Sequence, residues 1–126
     1  MPQQDSAPRF LNLLQIRMPA GAVASIAHRI SGILIFLSLP VVIYLLDLSL
    51  KDPAGFALAG KWLDSVWART VSVLLVWSLA HHILAGLRFL LIDLDIGVDR
   101  DTARRSAWIT SILALLITLG WVGWIL

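Results

Sequence analysis

Three long apolar runs without charged side chains limit this chain to a membrane-spanning structure. Residues 30–46 and 106–126 carry no charge, and residues 70–87 carry none apart from two histidines. An α-helix needs roughly 17–25 such residues to cross about 30 Å of hydrocarbon. The mean hydropathy of +0.85 agrees. The sequence therefore predicts an all-α fold, an integral membrane bundle of three transmembrane helices. One membrane-anchor domain is expected over residues 1–126, with spans at about 22–48, 67–92 and 104–126.

The composition also excludes several kinds of function. The chain has no cysteine, so it can form no disulfide, no thiolate metal site and no iron–sulfur ligation. Its net charge of +2 is small and its basic residues are scattered, which argues against a nucleic-acid partner. Motifs for nucleotide binding, zinc hydrolysis and Ser–His–Asp chemistry are missing, so we expect no catalytic residue here. The chain is expected to be one subunit of a larger assembly.

The distribution of basic residues predicts the orientation in the membrane. By the positive-inside rule the side with more Lys and Arg is cytoplasmic. Seven basic residues lie at the N-terminal side or near the second loop and three lie in the first loop: Arg9, Arg17, Arg29, Arg88, Arg100, Arg104 and Arg105 against Lys51, Lys61 and Arg69. The N-terminus is then cytoplasmic and the C-terminus periplasmic. The opening MPQQDSAPRF resembles neither a secretory signal nor a transit peptide, so a bacterial inner membrane is the expected location.

Individual residues within and between the spans add detail to the predicted helices. Pro40 lies inside the first span and predicts a bend without a break, because a membrane bundle can re-satisfy the freed carbonyl. The first loop, residues 51–69, has turn formers around Pro53 and could carry a short interfacial helix with Trp62 and Trp67. Trp77 lies in the middle of the second span, where an interfacial aromatic belt does not explain it.

The motif SIAHRISG, residues 25–32, places a polar stripe at the start of the first span. Ser25, Arg29 and Gly32 recur at i, i+4 and i+7, on one side of a helix. Such a stripe could bind a polar head group. Arg29 could equally be an anchor that snorkels to the interface, with Ser25 and Gly32 as helix-packing residues. The residue types leave both interpretations open.

Two adjacent histidines lie inside the second span. His81 and His82 are about 100° apart around a helix, so they cannot both face one ligand. A neutral imidazole in a membrane is suited to be an axial ligand of haem iron, but it can also hydrogen-bond a neighbouring helix. His82 has Gly86 one turn on, which would let a flat macrocycle approach. His81 has Arg88 at i+7, a candidate partner for a carboxylate or propionate. Spacing alone does not choose between them.

At this point the residues resemble a known family, the cytochrome b membrane-anchor subunit of succinate dehydrogenase, respiratory complex II. The resemblance rests on NLLQIRMPAGAVASIAHRISG, on HHILAGLRFLLID, and on three spans over nearly the whole chain. The pattern S-x-x-H-R-x-S/T-G followed by H-x-x-x-G-x-R is specific, although either half alone would be weak. By this resemblance, the metal ligand is His82, axial to haem b. Ser25 and Arg29 would bind quinone, and His28 with Arg29 would lie near the haem propionates.

Two positions limit what the resemblance carries over. Many relatives have a second histidine directly after the motif arginine, where this chain has Phe89, so any role of that histidine is not transferred. Asp93 matches an acidic position at the helix end, with its role left open.

The resemblance implies a subunit that helps pass electrons from an iron–sulfur subunit to quinone, with ubiquinone expected. Succinate and flavin chemistry would belong to the soluble iron–sulfur and flavoprotein subunits. A second small anchor subunit would share the haem and supply its other ligand. One alternative is the anchor of a fumarate-reducing complex. Another is a cofactor-free membrane assembly or transport subunit.

Overall fold

Four α-helices make up the described part of the chain. The computed structural model describes residues 18–126, with α1 (Ala20–Lys51), α2 (Pro53–Leu63), α3 (Val66–Asp93) and α4 (Arg100–Ile125). α1, α3 and α4 are long and apolar enough to cross a membrane. The predicted all-α fold with three transmembrane helices is confirmed. The single domain and the exact span limits remain predictions. Arg9, Arg17 and the motif residues before Met18 lie outside the described residues.

Side chains before three of the helices satisfy backbone N–H groups that have no partner within the helix. The acceptor–donor pairs are Asp52 with Gly55, Ser65 with Ala68, and Asp99 with Thr102, at 2.6, 3.2 and 2.9 Å. Each is the N-cap pattern that stabilises the first turn of a helix. α1 differs, because it begins after Pro19 with no side-chain cap. α1 also continues through Pro40 without a break, as expected.

α2 folds back tightly against the end of α1. Asp52 is the only residue between the two helices. Gly55 and Ala59 of α2 are buried, and a Cβ added at Gly55 would collide with the backbone carbonyl oxygen of Leu48. A glycine is therefore needed where α2 crosses α1. The short helix expected in the first loop is present and holds Trp62, whereas Trp67 belongs to α3.

The interior of the bundle is lined by small side chains. α3 packs against both α1 and α4. The buried residues of α4 recur every three or four positions and are Ala107, Thr110, Ala114 and Thr118. Large apolar side chains such as Phe36 and Ile43 are mostly exposed. Small inward and large outward residues are typical of membrane bundles, where close backbone approach replaces a hydrophobic core.

α3 and α4 are also joined by hydrogen bonds near the end of α4. The indole Nε1 of Trp121 donates to Oγ of Ser72 at 2.9 Å. Nη1 of Arg69 donates to the carbonyl oxygen of Ile125 at 3.2 Å. The helices therefore run up, down and up, with the start of α1 and the α3–α4 loop at one end and α2 at the other.

The α3–α4 loop begins with a tight C-terminal cap on α3. Asp95 has a φ of 60°, in the left-handed region. The backbone N–H of Ile96 donates to the carbonyl of Leu91, and that of Asp95 to the carbonyl of Ile92, both at 2.9 Å. This pair of bonds is the Schellman pattern, which satisfies the last carbonyls of a helix. It turns the chain sharply toward α4.

Candidate functional site

His82 is the half-buried histidine that faces α1. Its Nδ1 lies 3.2 Å from the carbonyl oxygen of His28 and 3.4 Å from Oγ of Ser31. The Ser31 hydroxyl itself donates to the His28 carbonyl at 2.8 Å. A carbonyl oxygen only accepts, so the proton of a neutral His82 belongs on Nδ1. That assignment leaves the lone pair of Nε2 free for another partner.

Gly32 makes the close approach of His82 to α1 possible. A Cβ at this position would lie 2.9 Å from Cε1 and 3.3 Å from Nδ1 of His82, closer than real Cβ contacts. A Cβ at Gly86 would meet Nε2 of His28 at 3.5 Å, an ordinary contact. From the sequence, Gly86 was the glycine that would let a flat macrocycle approach; in the structure the ring of His28 lies beside it. Gly32, on the opposite helix, is the more restrictive position for His82.

The rings of His28 and His82 stack on each other. Their centroids are 4.2 Å apart and their planes differ by 6°. Phe89 meets the His28 ring edge-on, with centroids 5.3 Å apart and planes 77° apart. Two of the residues selected from the sequence, fifty-odd positions apart, are thus in contact. Phe89 packs beside them.

Ser25 and Arg29 lie on the same helix as His28, within one turn of it. Ser25 is half-buried and Arg29 is exposed. Arg29 forms no ion pair with a carboxylate within residues 18–126. Its guanidinium is therefore accessible to a ligand or a partner at the bundle surface.

His81 lies on a different face of α3 and is enclosed. It shares a buried stripe with Ser78, Ala85 and Arg88, and its exposed fraction is 2%. Its Nδ1 has no hydrogen-bond partner among the described residues. The ring of Trp77 lies beside it, with centroids 5.4 Å apart. Contact with His81 gives the mid-span tryptophan a packing role that the sequence did not reveal.

Arg88 binds α4. Its Nε donates to Oγ of Ser106 and its Nη2 to the carbonyl oxygen of Ala103, both at 2.9 Å. From the sequence, Arg88 was a candidate partner for a carboxylate or propionate. Its hydrogen-bond partners in the structure are neutral groups of α4. The end of α3 is thereby held to the start of α4.

The described residues supply too few ligands for a complete metal site, so a metal bound here would need further ligands from outside this chain. Among residues 18–126, no group of three or more His, Cys, Asp or Glu side chains lies close enough to hold a metal ion. His82 can offer one nitrogen, and a carbonyl bonded to the other ring nitrogen orients a metal-binding histidine. His81 is sealed between helices and offers no comparable access. The geometry therefore favours His82 of the two adjacent histidines as a ligand.

Comparison with known proteins gives consistent matches along nearly the whole chain. A family model described as the succinate dehydrogenase/fumarate reductase transmembrane subunit matches residues 3–121. The succinate dehydrogenase cytochrome b556 subunit of Coxiella burnetii is 29% identical over 119 residues, which cover 91% of this chain and 95% of the relative. The subunit of that name from Paracoccus denitrificans is 30% identical over 101 residues, covering 79% and 77% of the two chains.

Proposed function

The chain belongs to the succinate dehydrogenase/fumarate reductase transmembrane subunit family, and from that premise we propose that it is the haem b- and quinone-binding anchor of a succinate dehydrogenase. It anchors the iron–sulfur and flavoprotein subunits at a bacterial inner membrane. It also helps electrons pass from the iron–sulfur subunit to ubiquinone. Succinate oxidation takes place on the soluble subunits, so this chain is a subunit of the enzyme without its dicarboxylate site.

The observation that carries the proposal is the environment of His82. Its Nδ1 is 3.2 Å from the His28 carbonyl, which orients the ring and leaves the lone pair of Nε2 available as a ligand within an apolar span. When bound, haem b supplies one-electron redox chemistry. His82 would provide one nitrogen ligand to the haem, and a histidine of a second anchor subunit would provide the other. On α1, His28 stacks on His82 and Arg29 is the next residue, so both are suited to the propionates. The cytochrome b556 names of both relatives support a haem of this type.

Ser25 and Arg29 are proposed to bind the quinone head group. A hydroxyl and a guanidinium can both donate hydrogen bonds to a quinone oxygen. The guanidinium is a fixed fork of donors that a lysine would only partly replace. Arg29 is exposed, and Ser25 lies one turn before it on α1. This places the two donors near the start of the first membrane helix.

The haem assignment is tested by the reduced-minus-oxidised visible spectrum of membranes that contain the assembled complex. In His82→Leu the haem should be lost or its coordination altered, because the ligand is gone while the helix can still insert. His81→Leu is the matched control and should leave the spectrum nearly unchanged. A normal low-spin spectrum in His82→Leu beside a lost one in His81→Leu would overturn the assignment. The absence of haem absorption in the wild type would favour a cofactor-free assembly or transport subunit.

The quinone assignment is tested with Arg29→Leu and Ser25→Ala. A hydrogen bond to a charged donor is worth about 1.5–3 kcal/mol and a neutral one about 0.5–1.5 kcal/mol, so Arg29→Leu should cost more. Quinone reduction should fall while electron delivery to an artificial acceptor at the soluble subunits persists. Loss of both activities would instead indicate failed assembly and a structural anchor role for Arg29.

A fumarate-reducing complex is the second candidate, because the matching family model describes subunits of both enzymes. The two differ in the direction of electron flow, which depends on the quinone potential and on the catalytic subunits. Redox titration of the assembled complex with quinones of defined potential separates them.

A further inference from the structure

A second polar site lies at the end of the bundle where α1 and α4 both begin. A cavity of about 830 Å³ opens there, away from the stacked histidines. Three arginines from two helices line it, namely Arg88, Arg100 and Arg104. Trp108 and the first residues of α1 complete the wall. None of the three arginines takes part in the proposed haem or quinone sites.

The three arginines of this cavity form no ion pair with a carboxylate of the described residues, although Asp101 lies with Arg104 in a neighbouring groove. The one ion pair within residues 18–126 joins Arg69 to Asp64, at the opposite end of the bundle. Arg88 has an exposed fraction of 8%, and its hydrogen-bond partners, the Ser106 hydroxyl and the Ala103 carbonyl, are neutral. A guanidinium stays charged in proteins, and a buried charge is costly unless it is paired. An anion in the cavity would supply the missing charge.

The start of α1 adds to the positive potential. α1 has no side-chain cap, and a helix leaves its first backbone N–H groups without a partner inside the helix, although that of Ala22 donates to the carbonyl oxygen of Pro19. Gly21 lies next to Arg88, since a Cβ added there would be 4.0 Å from Nη2 of Arg88. The positive end of the helix dipole therefore points toward the wall that holds the arginines. This contribution adds to the buried guanidinium of Arg88, which has neutral hydrogen-bond partners and no carboxylate partner among the described residues.

We propose that the cavity binds the phosphate group of an anionic phospholipid. The site lies at the end of three helices of membrane length, at the depth of lipid head groups. Trp108, 57% exposed, stands at its rim, and Ile112, one turn further along α4, is also exposed on the bundle surface. Basic pockets between membrane helices on the cytoplasmic side are suited to acidic head groups. Under the predicted orientation, the lipid belongs to the cytoplasmic leaflet.

The test measures binding of phosphatidylglycerol to the delipidated, assembled complex in detergent, by native mass spectrometry. Phosphatidylcholine with the same acyl chains is the uncharged comparison. Arg100→Gln and Arg104→Gln remove exposed charges from the cavity without removing the bonds between α3 and α4. Arg105→Gln is the matched control, because it makes the same change on the next residue of α4, outside the cavity.

Wild type and Arg105→Gln should prefer phosphatidylglycerol to phosphatidylcholine. Each cavity variant should bind phosphatidylglycerol about two- to fivefold more weakly, the range of an exposed ion pair, and the double variant about tenfold. Equal binding of the two lipids, or an equal loss in Arg105→Gln, would overturn the proposal. Displacement by inorganic phosphate at the lipid's own concentration would indicate a free-anion site instead. Loss of a partner subunit with unchanged lipid binding would indicate that an acidic protein surface fills the cavity.

Discussion

Two neighbouring histidines show how one step along a helix separates two environments. His82 reaches α1 and keeps one nitrogen free, whereas His81 is enclosed beside Trp77. The sequence could predict that only one of them faces a ligand, because the angle between adjacent residues is a property of any helix. The sequence spacing could not say which of the two histidines faces a ligand. That choice depends on how α3 is rotated against α1, which is set by Ser31 and Gly32, about fifty residues earlier.

The close contact at Gly32 yields a prediction at the same scale. In Gly32→Ala the new Cβ would lie 2.9 Å from Cε1 of His82, so the imidazole must move. We expect an altered haem spectrum and a shifted midpoint potential in the assembled complex, with a loss of stability of about 1–3 kcal/mol from overpacking. Visible spectra, redox titration and thermal unfolding measure these effects.

Gly86→Ala is the control for Gly32→Ala. Its Cβ would meet Nε2 of His28 at 3.5 Å, which requires no movement. The spectrum and potential should therefore stay close to those of the wild type. A changed spectrum in Gly86→Ala with an unchanged one in Gly32→Ala would contradict the described packing of His82 on α1.

At the scale of elements, the charge-free runs identify the three long helices, since only a helix can satisfy its own backbone within a membrane. Their ends are less visible in the sequence. The sequence predicted α2 only as a short interfacial helix. It could not predict how α2 packs, because that depends on the close crossing with α1 at Gly55. The cap on α3 was also hidden, since Asp95, a non-glycine residue, occupies the left-handed position.

Asp95 yields a prediction about the end of α3. Its φ of 60° is a conformation that costs most L-residues about 1–2 kcal/mol. Glycine avoids this cost but loses more backbone entropy on folding, which offsets part of the gain. Asp95→Gly should therefore stabilise the chain by about 0.5–1 kcal/mol. Thermal or denaturant unfolding in detergent measures the change. Asp95→Val should lower stability, and an equal or higher stability in that variant would contradict the left-handed cap.

Asp99 yields a prediction about how the stability of the start of α4 depends on pH. Its carboxylate accepts the backbone N–H of Thr102, and this hydrogen bond holds the pKa of Asp99 below its ordinary value of 3.8. A lowered pKa in the folded state means that the carboxylate stabilises the helix start above pH 3.8. This stabilisation is lost as the pH falls through the lower, folded-state pKa. Amide exchange at Thr102 and Ala103 should accelerate in that acidic range, relative to its intrinsic pH dependence.

Asp99→Asn is the control, because asparagine can cap a helix but does not titrate. Its amide exchange at the same positions should follow the intrinsic pH dependence alone. If this variant shows the same extra acceleration in acid as the wild type, the carboxylate of Asp99 is not the group responsible.

At the scale of the whole molecule, the seven-to-three division of basic residues predicts the orientation in the membrane. A single cysteine at Val98, 53% exposed in the α3–α4 loop, should resist a membrane-impermeant thiol reagent in intact cells. A cysteine at Ala57, on the exposed side of α2, should react. A third cysteine at Gln4 should resist like the one at Val98. The opposite labelling pattern would place the proposed quinone and lipid sites on the periplasmic side.

The hydrogen bonds between helices are unevenly distributed in the bundle. α3 and α4 are bonded to each other near both ends, by Trp121 to Ser72 and by Arg88 to Ser106. The side-chain hydrogen bonds between α1 and this pair, within residues 18–126, all involve the imidazole of His82. A displacement of α1 relative to the pair must therefore change the surroundings of that imidazole. The ring of His82 would thus report how the three helices are assembled.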